Sequence, residues 1–199
     1  MRSSKVISNK KKKIMEKYDS TSDFYDNRYK KIQEEKYKIL LSNFQMVNNI
    51  ILDAGCGSGL FFDFILKQFK EDQIKFMNYI GIDISSKMLK RFVKKRKKSS
   101  EHLKLNLILA DIENLPIREN KIDSIYSITS LQNLPNLKKG IIEIIKVSKH
   151  MANFYLSILK KTLNLESLVS FLEQNITNLR IIDMESIEDF IVQGNVIKN

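Results

Sequence analysis

The sequence predicts an α/β protein with a doubly wound, mostly parallel β-sheet, because strand-like and helix-like segments alternate from residue 49 onward. Short apolar runs such as "NYIGIDI" and "LNLILADI" are typical of buried parallel strands. The segments between such runs repeat apolar residues at helical spacing, as in "LFFDFILKQF". Connections of this β-α-β type are right-handed and place helices on both faces of the sheet.

The first element that we expect is a helix over residues 24–46, in which Tyr37, Leu40, Leu41 and Phe44 form an apolar stripe. The strand "NIILDA" and the helix "LFFDFILKQF" follow it. The strand "NYIGIDI" then leads into the helix "SSKMLKRFVKKRKK", for which Ser85 is suited as the N-cap.

The second half of the chain continues the alternation. The strands "LNLILADI" and "KIDSIYSI" are separated by a loop that contains Pro116. The helix "NLKKGIIEIIKVSK", the strand "NFYLSIL" and the helix "NLESLVSFLEQN" follow in that order. The strands "LRIIDM" and "DFIVQGNVI" have no helix between them, so we expect a hairpin that adds an antiparallel strand.

The length and composition fit a single globular domain, with 199 residues, of which 43% are hydrophobic and 29% charged. We find no apolar run long enough to span a membrane and no hydrophobic N-terminal region of the signal-peptide kind, so we expect a cytoplasmic protein. The only cysteine is Cys56, which excludes a disulfide framework and a cysteine-based metal cluster.

Basic residues cluster in two segments of a chain whose formal net charge is +11. Residues 2–17 hold seven Lys and Arg against one Glu, and residues 87–98 hold eight with no acid. Such clusters suit a phosphate backbone or another anionic surface, but a solvated tail and a solvated helix end would look the same. We expect residues 1–17 to form a flexible basic tail before a single domain over residues 18–199.

Three of the six glycines fall within the short segment "GCGSG", as Gly55, Gly57 and Gly59. Glycine is favoured where the backbone turns with positive φ or where another group lies against the main chain. A strand, a glycine turn and a helix form the first half of a nucleotide-type site, in which the ligand packs on exposed backbone.

An acidic residue follows each of three successive strands, as Asp53, Asp83 and Asp111. Ligands of such sheets bind beyond the carboxyl ends of the strands, where these three side chains would meet. A carboxylate after the second strand can accept both hydroxyl hydrogens of a ribose, and one after the third can accept from the amino group of adenine.

The motifs "LDAGCGSG", "YIGIDIS", "LILADIENLPI" and "KIDSIYSITSLQNLPN" resemble, in order and spacing, the first four motifs of class I S-adenosylmethionine-dependent methyltransferases. The resemblance is strongest to the UbiE-like, methyltransferase type 11 group and covers about residues 18–160. It implies a Rossmann-like, seven-stranded sheet of order 3-2-1-4-5-7-6. The early third glycine, Gly59, disfavours a nucleotide-binding oxidoreductase, whose usual pattern is GxGxxG.

The resemblance also implies a set of residues that bind S-adenosylmethionine, with no metal. The glycine turn would carry the methionine part, with Asp53 and the carbonyls after the fourth strand near its ammonium group. Asp83 would hold the ribose, while Asp111 and the backbone of Ile112 would hold the adenine. The full set is Tyr18, Tyr25, Arg28, Asp53, Ala54, Gly55, Cys56, Gly57, Gly59, Asp83, Ile84, Met88, Asp111, Ile112, Ser127 and Ile128.

Two points about these residues stay open at the level of sequence. Tyr18, Tyr25 and Arg28 would belong to an N-terminal helix that closes the cofactor site, or else to a face that packs on the sheet. No catalytic residue is identified, because a general base is needed only if the methyl acceptor arrives protonated. Glu113, Asp19, Tyr18 and Tyr25 are the candidates, whereas His102 and His150 would lie at the opposite edge of the sheet.

The methyl acceptor is not identified by any motif. The segment "SILKKTLNLESL" leaves almost no room for a lid near the fifth strand, which favours RNA or protein over a small metabolite as the substrate. The alternative is a non-catalytic, cofactor-binding or scaffold subunit of a methyltransferase complex. Residues 103–110 would form an exposed edge strand, beside which we expect that an accessory subunit adds a strand.

Overall fold

The structure is a computed structural model that describes residues 2–42, 50–74, 76–96 and 104–198. It does not describe the side chains of residues 2–8, 21–25, 27–29, 71 and 162. None of the described helices has an apolar stretch long enough to cross a membrane.

The strands form one seven-stranded sheet. They are β1 (Ile50–Ala54), β2 (Asn78–Asp83), β3 (Lys104–Leu109), β4 (Ile122–Ile128), β5 (Ser148–Leu159), β6 (Ile176–Ile182) and β7 (Asp189–Val196). Their order is β3-β2-β1-β4-β5-β7-β6, with β1 to β5 parallel and β7 antiparallel to both of its neighbours. The predicted fold class and strand order are therefore confirmed, including the terminal hairpin.

In the part of the chain that the structure describes, six α-helices connect or flank the strands. They are α1 (Arg2–Leu40), α2 (Leu60–Gln68), α3 (Glu71–Ile74), α4 (Ser86–Arg96), α5 (Leu137–Val147) and α6 (Leu165–Leu172). The predicted N-cap of α4 is confirmed, since the Ser85 hydroxyl accepts a hydrogen bond from the Met88 N–H at 3.1 Å.

The sheet separates two hydrophobic cores, because successive side chains of a strand point to opposite faces. Leu52 of β1 packs with α5 and α6, whereas its neighbour Ile51 packs with α1, α2 and α4. The second core is rich in aromatic rings, and Tyr126 and Tyr155 stack there with their ring centroids 4.8 Å apart.

Helix α1 begins much earlier than predicted. It runs without interruption from Arg2 to Leu40, so residues 2–17 are helical rather than a flexible tail. The physical reason is that its lysines find partners on the domain: Lys10 Nζ donates to the Leu134 carbonyl at 2.7 Å, and Lys11 pairs with two carboxylates. The predicted end of this helix at residue 46 lies outside the described residues.

The basic end of α4 also differs from a purely solvated cluster. Lys95 Nζ lies 2.8 Å from a carboxylate oxygen of Asp63 and 3.1 Å from one of Asp26, so it joins α4 to α2 and α1. Arg96 places its guanidinium over the Phe62 ring, 4.9 Å from the centroid. Lys97 and Lys98, which belong to the same predicted cluster, lie outside the described residues.

Candidate functional site

The glycine turn between β1 and α2 has positive φ at all three glycines, with 91° at Gly55, 53° at Gly57 and 83° at Gly59. A Cβ at Gly55 would collide with Ser130, and one at Gly59 would lie 2.5 Å from the Phe92 ring. A Cβ at Gly57 would meet no atom within 4 Å. The two outer glycines therefore permit tight packing, while Gly57 leaves open backbone for a ligand.

Asp83, at the end of β2, is tied directly to this turn. One of its oxygens accepts from the Gly57 N–H and the other from the Ser85 N–H, each at 2.8 Å. Burial raises the pKa of Asp83, and the backbone hydrogen bonds partly offset that effect. The second strand thus supplies a carboxylate beside the exposed backbone of the turn.

Asp53, in β1, is 2% exposed and accepts a hydrogen bond from the Tyr79 hydroxyl. Removal of water from the carboxyl raises its pKa to about 7, against a lowering effect of the Tyr79 hydrogen bond. The negative charge of Asp83 nearby also favours the protonated form. Asp53 is therefore poised to ionise when a cation binds next to it.

A cleft with about 680 Å³ of empty volume, partly open to solvent, lies between the carboxyl ends of the strands and helix α1. Among its lining residues are nine of those predicted from the sequence, namely Tyr18, Gly55, Gly57, Asp83, Ile84, Met88, Asp111, Ile112 and Ile128.

A second, smaller cavity adjoins this cleft at the glycine turn. It is lined by Asp53 and Cys56 from the predicted set, and it shares Gly55, Gly57 and Ile128 with the cleft. Three predicted residues line neither space: Gly59 packs near Phe92, and Ala54 and Ser127 are buried and joined by a 2.8 Å hydrogen bond. The side chains of Tyr25 and Arg28 lie outside the described residues.

Several residues at the site were missed by the sequence analysis. The cleft is also lined by Lys11, Ile14, Ala110, Thr129, Ser130, Asn133, Leu134 and Pro135, and the smaller cavity by Gln33, Tyr37, Ser58, Leu60 and Phe61. A signal for Gln33 existed, because it lies four residues before Tyr37 on the apolar stripe of α1. A polar residue on such a stripe needs a polar partner or a function.

Lys11 forms ion pairs with Asp111 and Glu113 at the far end of the cleft. Burial acts to lower the pKa of Lys11, but the hydrogen bonds and charges of the two carboxylates together raise it. Glu113 is 2% exposed and also accepts from the Asn136 N–H at 2.6 Å. Asp111, the carboxylate that the sequence assigns to the adenine amino group, is thus held by Lys11 of the same chain.

Helix α1 lies across the carboxyl ends of the strands and makes polar contacts along its length. The Tyr18 hydroxyl accepts from the Asn133 amide at 2.8 Å, and Asp19 accepts from the Ser85 hydroxyl. Farther along, Asp26 accepts from the Ser58 hydroxyl. The helix therefore forms one wall of the cleft.

Comparison with known proteins places the chain in a family. The methyltransferase 11 family, described as "Methyltransferase domain", matches residues 52–156. The chain belongs to this family of methyltransferase domains, as its glycine turn and strand-end carboxylates predict.

Two curated relatives indicate the range of reactions in similar proteins. The chain is 27% identical over 151 residues to the ubiquinone/menaquinone biosynthesis C-methyltransferase UbiE of Rickettsia prowazekii, covering 75% of this chain and 58% of that protein. It is 36% identical over 141 residues to the malonyl-[acyl-carrier protein] O-methyltransferase of Buchnera aphidicola, covering 70% and 51%. The chain therefore spans little more than half the length of these relatives.

Solved structures share the fold at low sequence identity. The magnesium protoporphyrin IX methyltransferase of Synechocystis, solved with bound S-adenosylmethionine, has a TM-score of 0.73 at 15% identity, covering 94% of this chain and 97% of that one. A Haloferax volcanii methyltransferase in complex with the Trm112 activator has a TM-score of 0.69 at 14% identity, covering 93% and 98%. These two structures therefore show that the chain shares its fold with methyltransferases of known structure.

Proposed function

We propose that the protein binds S-adenosylmethionine in the cleft beside the glycine turn and transfers its methyl group to an acceptor. The observation that carries this proposal is the pair of hydrogen bonds that fixes Asp83 against the backbone of Gly57. These two bonds position the Asp83 carboxylate, as the acceptor for ribose hydroxyls, next to Gly57. Of the three glycines of the turn, Gly57 is the one at which a Cβ would meet no atom within 4 Å.

The proposed arrangement divides the cofactor between the two spaces. Asp83 would accept the ribose hydroxyls, and Ile84, Met88 and Ile112 supply an apolar wall for the adenine. Asp111 would accept from the adenine amino group once Lys11 has left it. The methionine part would cross the glycine turn toward the smaller cavity, which is lined by the predicted site residue Asp53.

When bound, the cofactor supplies a methyl group on a sulfonium, which is already a strong electrophile. The chain then has to hold the acceptor in line with the methyl carbon and sulfur, and to exclude water. In the described arrangement the candidate bases Glu113, Asp19 and Tyr18 each hold a partner that docks α1 or a neighbouring loop. We therefore assign these three to positioning the cleft wall, and Tyr25, whose side chain lies outside the described residues, stays a candidate base.

A small organic acceptor is favoured by the relatives, although the sequence alone favours RNA or protein. The curated relatives are named for a quinone C-methylation and for methylation of a carrier-bound malonyl group. The sequence predicts no inserted lid near the fifth strand. Helix α1 covers the cleft instead, since Lys11, Ile14 and Tyr18 form one of its walls. A covered site suits a small or carrier-bound acceptor.

An accessory subunit beside β3 remains part of this proposal. Leu105 and Leu107 of this edge strand pack against the second core, whereas Leu109 is 59% exposed, next to Val93 of α4 at 45%. A solved neighbour carries an activator protein, which supports a partner of that kind. The substitution Asn106→Lys would place a charge on the exposed edge, so it should abolish co-purification of the partner without lowering the melting temperature of the isolated chain.

Turnover distinguishes an enzyme from a cofactor-binding scaffold subunit with the same cleft. Formation of S-adenosylhomocysteine should be measured with a demethylated quinone, malonyl-acyl carrier protein and total tRNA as separate acceptors. We expect turnover with one of the first two acceptors and its loss in Asp83→Ala. The surface variant Asp183→Asn is a matched control, because Asp183 is 61% exposed and forms an ion pair with Lys160 away from the cleft.

A further inference from the structure

The smaller cavity beside the glycine turn contains an unused hydrogen-bond acceptor from helix α1. Gln33 is 4% exposed and lines this cavity. Its amide oxygen, Oε1, has no hydrogen-bond partner among the described residues. Buried polar atoms are nearly always paired, so an orphan of this kind at a cavity points to a missing ligand.

The orientation of the Gln33 amide follows from its neighbours rather than from the shape of the side chain alone. Its nitrogen, Nε2, lies 3.4 Å from the Thr129 hydroxyl oxygen. That hydroxyl donates its single hydrogen to Asp189 at 2.8 Å and accepts from Lys36 Nζ at 3.0 Å. The Thr129 oxygen therefore faces Gln33 as an acceptor, which turns the amide nitrogen toward Thr129 and leaves the amide oxygen unpaired.

This orienting network is itself rigid. Lys36 and Asp189 form a buried ion pair at 2.7 Å, and the Ser157 hydroxyl also donates to Asp189. Thr129 has a φ of 54°, which is rare for a β-branched residue and persists only where the surroundings hold it in place. The position of the amide is thus determined by contacts that reach from α1 to β4, β5 and β7.

The chemistry of the cavity defines the group that would fill it. Among the described residues that line it there is no Lys, Arg or His. The carboxyl of Asp53 accepts from the Tyr79 hydroxyl, and the amide oxygen of Gln33 is an acceptor without a partner. No ion pair among the described residues joins Asp53 to a cation, and burial raises the pKa of its carboxyl to about 7. A cationic group with several N–H donors, such as an ammonium, matches this set.

We propose that Gln33 binds the α-ammonium group of S-adenosylmethionine, opposite Asp53. This inference rests on the proposed function, and it assigns a specificity-determining residue that lies outside the sequence motifs. Because Gln33 belongs to α1, the contact joins recognition of the amino-acid end of the cofactor to the docking of the helix that covers the cleft.

The test is isothermal titration calorimetry of two ligands that share the adenosine part. S-adenosylhomocysteine has the ammonium group, and 5′-methylthioadenosine lacks the whole amino-acid end. The variant Gln33→Met keeps the length of the side chain and removes its acceptor. We expect it to weaken S-adenosylhomocysteine about tenfold and to leave 5′-methylthioadenosine within twofold, because a single hydrogen bond to a charged group is lost. Gln68→Met, at an exposed position of α2, is the matched control.

The outcomes separate the two proposals. Equal weakening of both ligands by Gln33→Met, or no weakening of either, overturns the role of Gln33. Failure of the unaltered protein to bind either ligand overturns the proposed function. If Gln33→Met does not fold, the decarboxylated analogue of S-adenosylhomocysteine, which keeps the amine, should bind the unaltered protein more tightly than 5′-methylthioadenosine. Equal affinities would contradict the proposal.

Discussion

Lys11, in the N-terminal half of the first helix, forms an ion pair with Asp111, directly after the third strand. The two residues are 100 positions apart in the sequence, and Glu113 completes the contact. Asp111 is the carboxylate that we assign to the adenine amino group. The cleft therefore has its own cation where the cofactor would donate hydrogen bonds.

Replacement of Lys11 should consequently tighten cofactor binding. Lys11→Met removes a competitor from Asp111, and a partly exposed ion pair of this kind is worth up to about 1 kcal/mol, which is about fivefold in affinity. Titration calorimetry with S-adenosylhomocysteine would measure the change. Lys12→Met is the control, since Lys12 is 71% exposed and contacts only Glu16 among its described ion-pair partners. Weaker binding by Lys11→Met would mean that the lysine belongs to the ligand site.

The stability of the unliganded protein should fall as the pH rises from about 4 to about 7. Asp53 has its pKa raised to about 7 in the folded state from an ordinary value of 3.8, so the folded protein holds a proton that the unfolded chain has released. Its contribution to the free energy of unfolding is a few kcal/mol across that range. Urea unfolding at a series of pH values should show that the free energy of unfolding falls less steeply with pH in Asp53→Asn than in the unaltered protein.

The same carboxyl gives a prediction for binding. A cation next to Asp53 favours the ionised form, so cofactor binding should release a proton below pH 7 and become tighter as the pH rises to that value. Calorimetry in two buffers of different ionisation enthalpy measures this release. An equal release in Asp53→Asn would assign the proton to another group.

Two ion pairs of helix α1 should differ strongly in their effect on stability. Lys36 and Asp189 are both buried, so Asp189→Asn leaves a buried cation without its charge partner and should cost about 3–5 kcal/mol. The substitution Lys95→Ala should lower the free energy of unfolding by less than about 1 kcal/mol, because Lys95 is 29% exposed, although it contacts two carboxylates. Urea unfolding would rank the two variants, and equal costs would contradict the assigned burial.

The sheet and most of the cleft could be predicted from sequence because both depend on local patterns. Apolar runs define the strands, and the carboxyl ends of parallel strands share one edge, which brings Asp83 and Asp111 to the same cleft. The glycine turn could be recognised in the sequence, because positive φ and close packing both require glycine at Gly55 and Gly59.

The docking of α1 could not be predicted in the same way. Its N-terminal half is dominated by lysines, with few apolar residues such as Ile14, and it is held by polar contacts such as Lys10 to the Leu134 carbonyl, between residues 124 positions apart. A run of lysines looks the same in sequence whether it is solvated or paired. Gln33 was missed for a related reason, because one polar side chain on an apolar stripe does not show what it faces.

The identity of the cofactor can be measured directly by titration of S-adenosylhomocysteine and NAD into the unaltered protein and into Asp83→Asn. We expect S-adenosylhomocysteine to bind and NAD not to bind. We also expect Asp83→Asn to weaken binding by about 1.5–3 kcal/mol for each ribose hydrogen bond that loses its charged acceptor. Its melting temperature should be followed in parallel, because Asp83 also accepts from Gly57 and Ser85. Binding of NAD in preference to S-adenosylhomocysteine, or full affinity in a folded Asp83→Asn variant, would contradict the account.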